Sequence, residues 1–418
     1  MTLCDARAAA LDLAVSARLD DVRALAARLI AIDSQIPPFG DERAIVNFLV
    51  TEVEARGLEA CVMGDPARPS LVATLRGGDG PTLGLCAHVD TKPIGESAAL
   101  WTVEPLVASV RDGRLYGLGA TDMKGAIAAM LVAVDAVIAT GGSPGDIVLL
   151  LVADEEAGGS HGARLIAPEL ATLDALLIGE PSGWERDWQA IHVVSRGSSC
   201  FRIRVRGTQG HSSLSDRLPL INASERMARL LVDMVDELAL PASTFTAPGL
   251  SATTTLNRGV TVSGGTWFGV VPGTAEFACD LRTVPGMTFD GVRNAIERWL
   301  EDRRARDASL DVEVVFEPGL EWVPPSAIPV DDPLVATVQA SASRVLGAAP
   351  PLGVFPGATD APWFAEAGIP TLPSFGPGLI SVAHGPDEYV SLRSLGEAAR
   401  MYAHTIANYG LTHRGGEQ

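Results

Sequence analysis

Basic residues are scarce: 32 Lys and Arg stand against 51 Asp and Glu in 418 residues, a formal net charge of −19. That balance excludes nucleic acid as a partner, because its phosphates are held mainly by Lys and Arg. It does not exclude an anionic small molecule, since a local site can differ in sign from the surface as a whole. No run of about 18 apolar residues occurs, so no membrane span is expected. The opening stretch "MTLCDARAAALDLAVSARLDDVRALAARLIAID" has no basic start followed by an apolar block and reads as amphipathic helix rather than signal peptide. Cysteines number five, scattered and without CxxC spacing, which predicts buried thiols in a reducing compartment, the cytoplasm. "GLGATDMKG" lacks both the Gly-Lys-Ser/Thr ending and the G-x-G-x-x-G spacing of nucleotide loops, and there is no G-x-S-x-G elbow of a serine hydrolase. Internal repeats and low-complexity tracts are also missing.

What is present describes a folded protein, 47% hydrophobic and 20% charged, too long for one ordinary core. Up to about residue 185, continuous apolar runs such as "PTLGLCAHVD", "DIVLLLVADEE" and "LDALLIGEP" alternate with helical patterns, as strands buried on both faces of a mostly parallel sheet would. "DMKGAIAAMLVAVDAVIAT" carries Ile127, Met130, Leu131, Val134 and Ile138 at helical spacing. From about 190 the texture changes: "CFRIRVRG" and "AEFACDLRTVPG" alternate apolar with polar, and each precedes an amphipathic helix. Pro-rich "EWVPPSAIPVDDP" marks the return to the first pattern. The expected fold is α/β: a catalytic domain built from 1–189 and 313–418 around a central mostly parallel sheet flanked by helices, interrupted by an inserted α+β domain over 190–312.

Titratable residues sit where the apolar runs stop. His88 and Asp90 end one strand, Asp122 follows "GLGAT", Glu155 and Glu156 end a second, Glu180 ends a third, and His384 lies in the late loop "SVAHGPDEY". Ligands of open α/β sheets gather beyond the carboxyl ends of the strands, so these groups are expected to converge. Two imidazoles with several carboxylates and no nearby thiolate suit zinc, and to a lesser degree cobalt or manganese. Asp90, two residues beyond His88 on the same strand face, is positioned to accept the second ring N–H and fix its tautomer. Adjacent Glu155 and Glu156 would point opposite ways on a regular strand, and the Gly-rich "EEAGGSHG" permits the bend that lets both serve one site. One would hold metal and the other act as general base.

At these residues the chain resembles the di-zinc amidohydrolases and metallopeptidases that include acetylornithine deacetylase, succinyl-diaminopimelate desuccinylase, aminoacylase and glutamate carboxypeptidase. The matching pieces are "GLCAHVDTKP", "DGRLYGLGATDMKGAIAAML", "ADEEAGG", "IGEPS", "RGTQGHSS", "VPGTAEFACDLRTVPG", "FPGATDA" and "AHGPDEYV", which span nearly the whole chain in the family's order. The resemblance implies two Zn2+ per subunit, with Asp122 bridging them and followed by a cis peptide bond, His88 and Glu180 on one ion, and Glu156 and His384 on the other. It implies that Glu155 is the general base, that His211 of a ferredoxin-like lid domain stabilises the oxyanion across a homodimer, and that Arg282 and Thr359 line the substrate pocket. The implied activity is hydrolysis of an N-acyl amino acid, deacetylase-like, with a carboxypeptidase or dipeptidase acting on short peptides as the alternative. A non-catalytic binding member would show a broken metal set, and here the set is intact. Two departures stand out: Gly269 occupies a position where relatives carry a substrate-holding Asn, and Ser195 stands about where desuccinylases carry a further basic residue.

Overall fold

The computed structural model describes residues 3–411 and divides into two compact units. Unit 1 comprises residues up to Ser195, Ser326–Phe355 and the chain from Thr359, and unit 2 comprises Arg196–Pro325 with Pro356–Ala358.

Unit 1 is organised on a six-stranded sheet in the order Glu59–Asp65, Arg68–Leu75, Gly145–Val152, Gly80–His88, Ala175–Ile178, Thr371–Leu372. The last four run parallel to one another, and Arg68–Leu75 alone runs against the rest. The apolar runs explain this: from Leu83 to His88, and over Ile147–Val152 and Ala175–Ile178, every side chain is buried, so neither face is left to water. The helix Gly125–Ala139 is buried on nearly all sides, packed against Leu392–Asn408 and Leu19–Ile30. Only its last turn emerges, where Ile138, expected on the apolar face, is exposed. The N-terminal amphipathic stretch forms two helices, Leu3–Ser16 and Leu19–Ile30, separated by a turn at Ala17 and Arg18. Within a small second sheet, Ser326 and Ala327 pair with Ser195 and Val194, so the chain leaves and re-enters unit 1 at neighbouring positions.

Unit 2 carries a four-stranded antiparallel sheet in the order Thr255–Gly264, Thr274–Thr283, Gly197–Arg206, Asp311–Phe316, with helices Ala223–Glu237 and Phe289–Arg306. In chain order the strands lie second, third, first, fourth, which is the ferredoxin-like βαββαβ arrangement. Alternation in Phe201, Ile203 and Val205 and in Ala275, Phe277, Cys279 and Leu281 buries one face and wets the other. The fourth strand, Asp311–Phe316, pairs along Phe201–Arg206, so the unit continues to Pro325, past residue 312 where the sequence pattern ended it. Among the described cysteines, Cys86 and Cys279 are buried as expected, Cys200 is half-buried and Cys61 is exposed, and none is in a disulfide.

Candidate active site

The parallel strands all finish at one edge of the unit 1 sheet, and the titratable groups follow directly from them. His88 is the last residue of its strand, Glu155 and Glu156 follow Val152 by three and four residues, and Glu180 follows Ile178 by two. Asp122 lies just before the buried helix Gly125–Ala139, its peptide bond to Met123 cis. His384 reaches the same place from the loop after Ile380–Val382.

Asp122 is the centre of the arrangement. Its Oδ1 lies 2.9 Å from His88 Nε2, and its Oδ2 lies 3.0 Å from His384 Nε2. Glu180 Oε1 is 3.7 Å from the same His88 nitrogen, and Glu156 Oε1 is 3.0 Å from the same His384 nitrogen. Ligand atoms of His88, Asp122 and Glu156, and separately of His88, Glu155 and Glu180, lie within 4.8 Å of one another. One carboxylate thus faces two donor pairs, one with each of its oxygens.

The backbone brings Glu155 and Glu156 to this point through a left-handed residue. Asp154 has φ 68°, after which Glu155–Ala157 form a short 3-10 turn. The left-handed conformation the pair needs therefore falls on Asp154, ahead of it, while Gly158 and Gly159 take positive φ behind it. A buried ion-pair network holds Asp154: its Oδ1 accepts from Arg68 Nη1 at 2.7 Å, its Oδ2 from the His161 backbone at 2.8 Å, and Arg68 Nε donates to the fully buried Glu42. Asp90 does a different job from the one expected. His88 Nδ1 donates to the Asp90 backbone carbonyl at 2.9 Å, with the carboxylate 3.7 Å away, so the tautomer that frees Nε2 is set by the main chain. The Asp90 carboxylate instead accepts from the backbone N–H groups of Glu155 (3.3 Å) and Glu156 (3.0 Å), fixing the turn.

The electrostatics call for a cation. Burial, with Glu156, Asp122 and Asp90 nearby, pushes Glu155 up to about 8, and burial beside Asp122 and Glu155 raises Glu180 well above the carboxylate range. Burial also acts on Asp122, but hydrogen bonds from His384 and His88 outweigh it and hold it low. Burial opposes protonation of His384, yet Glu156 and Asp122 carry it up to about 11. Four carboxylates crowded into a buried pocket repel one another, and divalent cations among them would reverse that logic. Nitrogen and oxygen donors in two sets sharing Asp122 fit a pair of such ions. Lys92, which sequence reasoning missed, places its ammonium 3.1 Å from Glu156 Oε2 and also bonds the Glu156 carbonyl.

Residues 84–408 match the model of peptidase family M20/M25/M40. The chain belongs to that family. It is 32% identical over 336 residues to a succinyl-diaminopimelate desuccinylase of Alkalilimnicola ehrlichii, covering 78% of this chain and 84% of that one. It is 31% identical over 383 residues to the acetylornithine deacetylase of Proteus mirabilis, covering 89% and 91%. In fold it resembles the dipeptidase Dug1p of Saccharomyces cerevisiae, with a TM-score of 0.76 at 14% identity over 97% of this chain and 98% of the other. As an M20/M25/M40 member the protein is a hydrolase of amide bonds, and its sheet edge holds a candidate metal centre.

The remaining expected site residues are distributed over both units. Thr359, in unit 1, is buried with its hydroxyl accepting from the Ala361 N–H at 3.2 Å. In unit 2, Arg282 is half-buried and paired with Asp280 at 2.8 Å. His211 is exposed, and its Nδ1 accepts from the Ser213 backbone N–H at 3.3 Å, with the Ser213 hydroxyl at 2.8 Å. A neutral ring with an acceptor at Nδ1 carries its proton on Nε2, the state in which it can donate to an oxyanion. Gly269 has φ 81°, a left-handed backbone that strains a side chain, although the space where a Cβ would stand is open beyond its chain neighbours. No described helix is long and apolar enough to cross a membrane.

Proposed function

We propose that the protein hydrolyses the amide bond of an N-acyl amino acid, releasing a carboxylic acid and a free amino acid. The observation that carries this reading is Asp122 facing His88 with one oxygen and His384 with the other, while Glu155 lies beside them as the one half-buried carboxylate of the group. His88, Asp122 and Glu180 would hold one ion and Asp122, Glu156 and His384 a second, with zinc favoured by the nitrogen and oxygen donors and cobalt or manganese as substitutes. When bound, these ions supply Lewis acidity that polarises the amide carbonyl and acidifies water. Glu155 takes the proton of the attacking water and delivers it to the leaving nitrogen. As the resemblance implies, His211 would donate its Nε2–H to the developing oxyanion across a homodimer, and Arg282 and Thr359 would bind the substrate.

Within this class, the resemblance to deacetylases favours a small acyl group, and one observation favours a dicarboxylic one. Arg196, at the start of unit 2, has a buried Nε with no hydrogen-bond partner, and burial, with the like charge of Arg282, lowers its pKa. Two adjacent guanidinium groups, one of them unpaired, suit a further substrate carboxylate such as that of a succinyl group. Homodimerisation through unit 2 is supported by exposed Val260 and Val262 on its edge strand and by exposed Trp267 and Phe268 in the following hairpin. The unpaired cysteines support a cytoplasmic location.

The test is amine release by zinc- or cobalt-loaded protein from N-acetyl, N-succinyl, N-formyl and N-carbamoyl amino acids and dipeptides. Glu155→Gln serves as the blank, with an expected rate loss of about 10²–10⁴ at unchanged metal content. Selective turnover of one acyl class supports the reading and names the acyl group. Turnover of dipeptides alone, or a parental rate in Glu155→Gln, would overturn it.

A further inference from the structure

Four residues beyond His384, in the same loop, Glu388 is almost completely buried at 2% exposure. Its carboxylate is fully engaged by main chain. Oε2 accepts from the Gly119 N–H at 2.9 Å, and Oε1 accepts from those of Thr121 at 2.8 Å and Asp122 at 3.1 Å. The Glu388 carbonyl accepts a further N–H, from Gly117 at 3.0 Å, and next to it Tyr389–Ser391 pairs with Arg114–Tyr116 as antiparallel strands. The whole segment Gly117–Asp122 is thereby laid along one residue of the His384 loop.

We infer that Glu388 is a positioning residue that sets the separation of Asp122 and His384, and so the geometry of the ion they would share. The inference rests on the metal-binding reading of the site. Both carboxylate oxygens are occupied by backbone donors, so Glu388 acts neither as a metal ligand nor as a proton carrier. Its effect passes through the backbone of Asp122 on one side and the four-residue connection to His384 on the other, across the 3.0 Å between Asp122 Oδ2 and His384 Nε2. A glutamine cannot replace it. The amide has one acceptor oxygen, and its NH2 would confront at least one of the three N–H groups. Groups that orient metal ligands typically account for about 10–100-fold in metal affinity.

The experiment compares the full-length parent, Glu388→Gln and Glu388→Asp after chelator treatment, by Co2+ titration against a competing chromophoric chelator and by amide hydrogen exchange. In Glu388→Gln, one of two Co2+ equivalents is expected to weaken about tenfold or more while the other holds, and exchange at Gly119, Thr121 and Asp122 accelerates more than elsewhere in unit 1. Glu388→Asp keeps the charge on a shorter arm and is expected to lose less affinity. Two equivalents bound by Glu388→Gln as tightly as by the parent would sink the positioning role alone. Failure of the parent to bind Co2+ would sink the metal reading and this inference with it. Loss of folded circular dichroism in both variants would reduce Glu388 to general packing and overturn the proposal.

Discussion

Arg68→Met should be among the most damaging substitutions outside the candidate metal ligands, although the bonds of Arg68 run to Glu42 and Asp154 and to none of those ligands. Arg68 binds Glu42 through Nε at 2.8 Å and through Nη2, and Asp154 through Nη1 at 2.7 Å. Glu42 is fully buried and Asp154 is 1% exposed. Methionine matches the aliphatic stem but leaves two carboxylates buried without a counter-charge. Removing one partner of a buried pair typically costs about 3–5 kcal/mol, whereas replacing all the charges together is often close to neutral. The triple variant Glu42→Gln, Arg68→Met, Asp154→Asn should therefore recover most of the loss and lie within about 1–2 kcal/mol of the parent. Asparagine also tolerates the left-handed φ of position 154. Hydrogen exchange in urea at the amides of Gly145–Val152 reports unit 1 alone and yields these differences. Metal affinity should fall alongside, because the Glu155–Glu156 turn departs from Asp154. A cost under about 1 kcal/mol for Arg68→Met, or a triple variant as unstable as the single one, would refute the reasoning.

Two further predictions concern pH and the lid histidine. In the metal-free protein, burial holds Asp90 at about 7 and Glu155 at about 8, above their unfolded values. The folded state then binds more protons than the unfolded one between about pH 4.5 and 8, so its stability falls as pH rises through that window. His384, raised to about 11, adds stability that is lost above about 6.5, with the same sign. Metal binding displaces these protons, so the gain in Tm on adding Co2+ should grow from pH 5 to pH 8, and a gain that shrinks would contradict this account. His211→Ala should lower kcat by about 10²–10³ with metal content unchanged, and an unaltered rate would remove its oxyanion role.

The convergence of His88, Glu155, Glu156 and Glu180 was legible in the sequence because each follows a continuous apolar run and parallel strands deliver their ends to one edge, whereas Asp122 and His384 come from loops. The ferredoxin-like unit was legible from the alternation in "CFRIRVRG" and "AEFACDLRTVPG". What holds the donors was not. Arg68 meets Glu42 across 26 residues and Asp154 across 86, and Glu388 meets Gly119 across 269, separations at which no spacing rule operates. Asp90 was singled out for the right strand face but the wrong bond, since the competing acceptor for His88 was its own backbone carbonyl. The boundary at 312 was early because Asp311–Phe316 has only one buried side chain, Val312, and reads as surface until its partner strand is known. Lys92 follows the His88 strand by four residues, and its basic charge beside so many acids was the signal available.

The pairing of Ser195 with Ser326 has a consequence for how the chain folds. Between them lie the 130 residues from Arg196 to Pro325. Were that stretch a random coil, bringing its ends together would cost about 4 kcal/mol of chain entropy on logarithmic loop scaling. A folded insertion has already restricted its own ends and relieves the sheet of much of that cost. Thr371–Leu372, Thr359 and His384 all come after the insertion, so the donor set is completed only once the ribosome has passed it. A substitution that unfolds unit 2 from within would therefore register as weakened metal retention in unit 1, with every donor residue intact.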